Sequence, residues 1–285
     1  MFEAEAKNSY SKVGLGCGLF LLASNLVNAL LYLLCADTIA YDQWMIWIIQ
    51  EFSIAAGVFV AWLAMRKVPK VHRPKEKLKP VQFILALSMM KAVSHLMAMI
   101  VILVFAAFSM VTGTDAEATA VVDEIVSADI WIQYVFVGLF GPVLEELLCR
   151  KLILDRTRAY GELNALVFSA LVFGLIHANL YQLAYSFPAG LILGYVYLRT
   201  NDIRYSIFLH MGMNLTSLIN LPFSDFVFGG LAIVGLAIYM ERIYFRYEEK
   251  QIRKGSEVGV IFGNKGVIFA MVLILIEFVI MLYSY

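Results

Sequence analysis

Three short stretches put groups that can handle a proton or a water into otherwise apolar sequence. "EELLCR" (145–150) carries Glu145, Glu146 and Arg150; "FGLIH" (173–177) carries Phe173 and His177; "HMGMN" (210–214) carries His210 and Asn214. Glu51, His95 and Glu277 are further ionisable residues in apolar surroundings. Such groups are costly inside a membrane, roughly 2.5–3.5 kcal/mol for Arg, Lys or Asp at a helix centre, and they mark function. On a helix, residues four apart share a face and neighbours are about 100° apart. Glu146 and Arg150 are therefore placed for an internal ion pair, which buried charges require, and Glu145 is left to face the bundle interior.

Taken singly, each motif also has a packing role. The first reads equally as an ion pair with one acid near the headgroups. A lone intramembrane histidine is ordinarily a hydrogen-bonded packing residue, and Phe173 is core by default. Together, a carboxylate, two imidazoles and an amide on three sequential helices have the inventory to hold a water, with or without a divalent metal, and to take its proton.

The elements that must position these groups follow from composition. The chain is 61% hydrophobic and 15% charged, with a mean hydropathy of +0.79, against roughly 45–50% and about 25% in soluble domains. Apolar runs near the ~20 residues that cross a bilayer core are read at 13–35, 44–65, 92–113, 130–154, 163–182, 187–199, 203–222, 226–241 and 267–284. The sixth and eighth are short, so the expected fold is an all-α transmembrane bundle of eight or nine spans. It forms one integral membrane domain, 1–285, with a catalytic core at 130–222.

Loop charge sets the orientation. "RKVPKVHRPKEKLK" (66–79) carries seven Lys or Arg. By alternation Lys7, Lys12, Lys91, Arg150, Lys151, Arg156, Arg158, Arg199, Arg204 and the run from Arg242 to Lys265 fall on the same face, opposite the acidic 114–129. The positive-inside rule places that face and the N-terminus in the cytoplasm. These basic loops are topological signals and argue against nucleic acid as a partner.

At about 1.5 Å rise per residue, Glu145 and His210 lie roughly 14 and 10 Å below this face. His177, at roughly 21 Å, reaches a shared site only if its span starts lower or tilts. Arg150 lies in the membrane while Lys151 snorkels to the headgroups.

The remaining features receive plainer readings. The stretch 13–35 is a first span rather than a signal peptide. Cys17, Cys35 and Cys149 are widely separated and suggest neither a disulfide nor a thiolate metal site. Residues 80–90 form an interfacial helix, His95 is interfacial, Glu51 reads as a hydrogen-bonded structural acid with a substrate contact as the alternative, and Glu277 is unexplained. Gly190 and Gly194 make a small-xxx-small pattern that fits close helix packing.

EExxxR, then FxxxH, then HxxxN, each on an apolar helix, resemble the CAAX protease and bacteriocin-processing (Abi) family of intramembrane endopeptidases. The resemblance covers 145–214 in detail. It implies peptide-bond hydrolysis near the cytoplasmic leaflet in a membrane-anchored, prenylated or bacteriocin-type substrate, in a multi-pass protein of a bacterial cell membrane. It implies Glu145 as general base with His177 as its partner, His210 and Asn214 as water or metal ligands and oxyanion stabilisers, and Glu146, Arg150 and Phe173 as supports. Glu145, His177 and His210 would form the ligand set if a metal such as zinc takes part. Two other classes are weighed against it: a non-proteolytic binding protein on the same fold, for bacteriocin immunity or sensor-kinase modulation, and a proton-coupled transporter. The clustering of charge in one half without an internal repeat speaks against the transporter.

Overall fold

The computed structural model describes residues 2–39, 42–113, 127–219, 224–239, 252 and 254–284. It is all-helical among those residues, and we number its long helices α1 (Phe2–Leu34), α2 (Gln43–Met65), α3 (Pro80–Thr112), α4 (Ile130–Tyr160), α5 (Glu162–Leu175), α6 (Leu180–Thr200), α7 (Ile203–Leu218), α8 (Ser224–Tyr239) and α9 (Lys265–Ser284). Four of the described helices, α1 to α4, are long and apolar enough to cross a membrane by themselves. The chain is an integral membrane protein, and one apolar core runs from Val13 and Cys17 through Cys149, Phe168, Phe173 and Leu193 to Leu209 and Ala270.

Three expected boundaries are corrected. The third span does not begin at 92: Pro80, whose missing N–H suits a first helical turn, opens a single 33-residue helix that closes on left-handed Gly113 (φ 70°). The interfacial helix expected at 80–90 is the first third of α3, so Lys91 is buried within the helix, not at its cytoplasmic end. His95 stands deeper still, about 22 Å along α3. The expected span 163–182 is broken: α5 ends at Leu175, and α6 starts at Leu180 rather than 187. The loop 114–126, residues 242–251 and 253 of the run from Arg242, and residues 220–223 lie outside the described residues.

The gathering of basic segments at one end of the bundle has a structural cause. Near the start of α1, Ser9 Oγ is 2.8 Å from Tyr160 Oη at the end of α4. In the 66–79 linker, Val71 N–H donates to Asp155 O (2.9 Å) and Glu76 N–H to Thr200 O (2.7 Å), while Asn201 Nδ2 donates to Pro74 O (3.2 Å). Glu162, fully buried, accepts from Arg73 (2.7 Å), from Arg158 (3.2 Å) and from Arg199. The partly exposed Lys151 ammonium is tied to Tyr197 Oη and Asp155.

The small-xxx-small reading is borne out in α6. A methyl group on Gly190 would lie 3.0 Å from Phe173 Cδ1 and 3.1 Å from Ala170 Cα, and one on Gly194 2.5 Å from Leu166 Cδ1. Bare backbone at these two positions lets α6 lie against α5.

Candidate active site

The EELLCR motif lies on a helix that is locally wide. In α4, Gln133–Phe140 and Leu147–Leu154 are π-helical. Gly141 N–H bonds to Phe136 O, five residues back, and Asp155 N–H to Arg150 O. Pro142, which lacks an N–H, follows the first wide stretch, and removal of a ladder donor is a known cause of such irregularity. Single π turns recur at functional sites.

The expected ion pair forms. Arg150 Nε and Nη2 grip the two oxygens of Glu146 at 2.8 and 3.2 Å, with no exposed surface on either side chain. The remaining guanidinium nitrogen, Nη1, donates to Ser169 Oγ (3.1 Å), whose hydroxyl donates to Cys149 O (2.9 Å). The guanidinium also lies 5.4 Å from the centroid of the Phe173 ring. Ser169 was missed in the sequence, although it stands four residues before Phe173 on the same face of α5.

His210, on α7, stands between the two glutamates. Its Nδ1 is 3.4 Å from Glu146 Oε1 and its Nε2 is 3.7 Å from Glu145 Oε2. His210 Nδ1 and Glu145 Oε2 are shielded from solvent and have no hydrogen-bond partner among the described residues. Phe173 packs edge-on against His210 (5.3 Å) and His177 (5.6 Å).

His177 and Asn214 are placed differently from expectation. His177 is not on a helix face; it follows α5 in the turn 176–179. Because α5 has 14 residues, about 21 Å, this turn falls short of the ~30 Å hydrocarbon thickness, where irregular backbone needs internal hydrogen bonds. It has them: Ala178 N–H donates to Leu175 O, and Asn179 Nδ2 donates to His177 O (2.9 Å). Ala178 is in the left-handed region, φ 55°, which costs a non-glycine residue energy. His177 Nδ1 donates to Phe173 O at 2.9 Å, so Nε2 is the acceptor. Asn214 Nδ2 donates to Val137 O (2.8 Å), tying α7 to the first wide stretch of α4.

The structure thus brings together Glu145, Glu146, Arg150, Phe173 and His210, with His177 joined to them through Phe173. The proposed metal set is not assembled: no three His, Cys, Asp or Glu side chains among the described residues are grouped to hold an ion. Cys17, Cys35 and Cys149 are free thiols.

Residues 127–216, which contain all of these motifs, match the Rce1-like family, described as type II CAAX prenyl endopeptidase. That segment is similar to the type II CAAX prenyl endopeptidase family. The chain is also similar to "Putative membrane peptidase YdiL" of Bacillus subtilis (strain 168), with 30% identity over 105 residues, covering 36% of this chain and 42% of that protein. The match therefore spans less than half the length of this curated relative. No solved structure matches. The matched segment spans α4 to α7 up to Thr216 and contains Glu145, Glu146, Arg150, Phe173, His177, His210 and Asn214.

Proposed function

We propose that this protein is an intramembrane endopeptidase that hydrolyses a peptide bond in a membrane-associated or prenylated, CAAX-type protein or peptide. The observation that carries this reading is the facing pair Glu145 and His210, 3.7 Å apart, with a buried and unpartnered carboxylate oxygen. A water about 2.8 Å from each, an ordinary hydrogen-bond length, fits over that gap. Glu146 is the acceptor nearest His210 Nδ1, which favours a proton there and leaves the Nε2 lone pair toward the water. Arg150 neutralises Glu146, so Glu145 is the carboxylate left to act as base. It takes a proton from the water as the oxygen attacks the scissile carbonyl. The second O–H of the water is directed to His210 Nε2, His177 flanks the pair across the Phe173 ring, and the amide N–H of Asn214 not used by Val137 is available to the oxyanion. No step is routed through a metal, because the candidate ligands do not form one set.

The family's description as an endopeptidase and the relative's name support this reading. The clustering of basic segments at one end of the bundle supports, through the positive-inside rule, a site toward the cytoplasmic leaflet with the N-terminus inside. The test is proteolysis in liposomes of a panel of membrane-anchored peptides, a prenylated CAAX peptide among them. Cleavage by the wild type, lost in Glu145→Gln and unaffected by chelator, is the expected result. Equal cleavage by Glu145→Gln overturns the assignment, and inhibition by chelator brings a metal into the mechanism.

A further inference from the structure

Glu51 lies on α2, outside the three motifs and outside the matched segment. It is half-buried and turned toward α4. Its Oε1 lies 3.5 Å, and Glu145 Oε1 3.8 Å, from the point where a Gly141 side chain would begin. The missing side chain of Gly141 leaves room for a carboxyl oxygen from each of two helices to approach the same point. Their Oε2 atoms are both shielded from solvent and without a hydrogen-bond partner among the described residues. The sequence reading of Glu51 as a hydrogen-bonded structural acid does not describe such a group.

The charges around this pair are specific. From α4, Glu51 is faced by Glu145; beyond Glu145, on α7, stands His210. Arg150 is committed to Glu146. On the α1 side, neighbouring Gln50 accepts from Asn28 at 2.9 Å, which adds no charge. Tyr185, on α6, is a further titratable neighbour of Glu145, and two carboxyls that face one cleft can divide the roles of base and acid between them.

We propose that Glu51 is a second catalytic carboxyl, holding the proton that Glu145 lacks and giving it to the leaving nitrogen. The proposal rests on the peptidase reading above. In the first step the water O–H bond breaks, its proton goes to Glu145, and its oxygen bonds to the scissile carbon. In the second the Glu51 O–H bond breaks, its proton goes to the amide nitrogen, and the C–N bond cleaves to give acid and amine. Transfer of the proton from Glu145 to Glu51 then restores the starting state, so one water is consumed and nothing else.

Two measurements test this. The first needs no substrate: infrared difference spectra of resting protein in detergent at neutral pH, wild type minus Glu51→Gln. One carboxylic-acid C=O band should be lost in the near-isosteric variant; an unchanged band overturns the shared proton. The second uses any peptide that the wild type cleaves. Glu51→Gln should lower kcat by about 10²–10⁴, the range for a positioned acid or base, with little change in KM. It should also abolish the alkaline fall of the pH profile, and Glu51→Asp should recover part of the rate. Wild-type kcat and pH profile in Glu51→Gln overturn the role. If the wild type cleaves no peptide, the peptidase reading fails separately, and the infrared measurement still decides whether Glu51 carries the proton.

Discussion

Glu146 and Arg150 have no exposed surface, and charges so placed persist only when each satisfies the other. Removing one partner leaves an uncompensated charge in an apolar bundle. Arg150→Met should therefore destabilise the protein by about 3–5 kcal/mol, read as a lowered denaturation midpoint in detergent, with Glu146→Leu/Arg150→Met recovering much of the loss. Glu145→Gln should behave in the opposite way, with cleavage abolished and the midpoint unchanged, because Glu145 Oε2 has no hydrogen-bond partner among the described residues. This contrast was legible in the sequence, since four-residue spacing pairs Glu146 with Arg150 and turns Glu145 elsewhere. The Glu51 contact was not legible: it is set by the packing of α2 on α4 at Gly141, across some ninety residues of chain, and no local spacing encodes it.

At the scale of elements, the site depends on a close α5–α6 hairpin and on a turn inside the membrane. A side chain at 190 meets Phe173 and the Ala170 backbone, and backbone cannot move aside as a flexible side chain can. Gly190→Val should displace Phe173, and with it the packing of both imidazoles. Cleavage is then expected to fall at least tenfold while the protein still extracts as a folded species; full activity would show that Phe173 is not held from α6. Gly194→Ala should be milder, because its first neighbour is the tip of Leu166. The glycine spacing made this packing readable. The break at 176–179 was not, because His177 and Asn179 are isolated polar residues in an otherwise apolar run; of the two, only Asn179, whose side chain caps α6 by accepting from Gln182 N–H (2.8 Å), signals a new helix start. The π-helical stretches of α4 likewise had Pro142 as their sole cue.

Across the whole molecule, loop charge predicted which segments gather, but not that they lock together. Asp202 shows the difference. Its hydrogen bonds from the Arg204 side chain, helped by the Arg204 backbone N–H and nearby Lys75 and opposed by partial burial, hold its carboxyl at about 2, below the usual 3.8. A depressed carboxylate stabilises the fold in full above its unfolded value, and that stabilisation fades as pH falls from 3.8 toward 2. Asp202→Asn should lower the unfolding temperature at neutral pH and flatten its acid dependence in that window; an unchanged thermal pH profile would refute the linkage. The four-residue spacing suggests Arg158 as a partner for Glu162, but nothing local in the sequence foretold that Arg73 and Arg199, far off in the chain, would join it.

The fastening of the basic linker also bears on how the protein is made. Arg73 is separated from Glu162 by 89 residues and Pro74 from Asn201 by 127, so the linker emerges from the ribosome long before anything exists for it to grip. Helices α1 and α2 must enter the bilayer with that segment loose, and it can be latched only after α6 has been delivered. Because His210 arrives later still, on α7, the nascent chain spends most of its synthesis unable to assemble a reacting centre. If the proposed activity holds, it switches on as a late event of biogenesis, when few partly inserted chains remain to be cut.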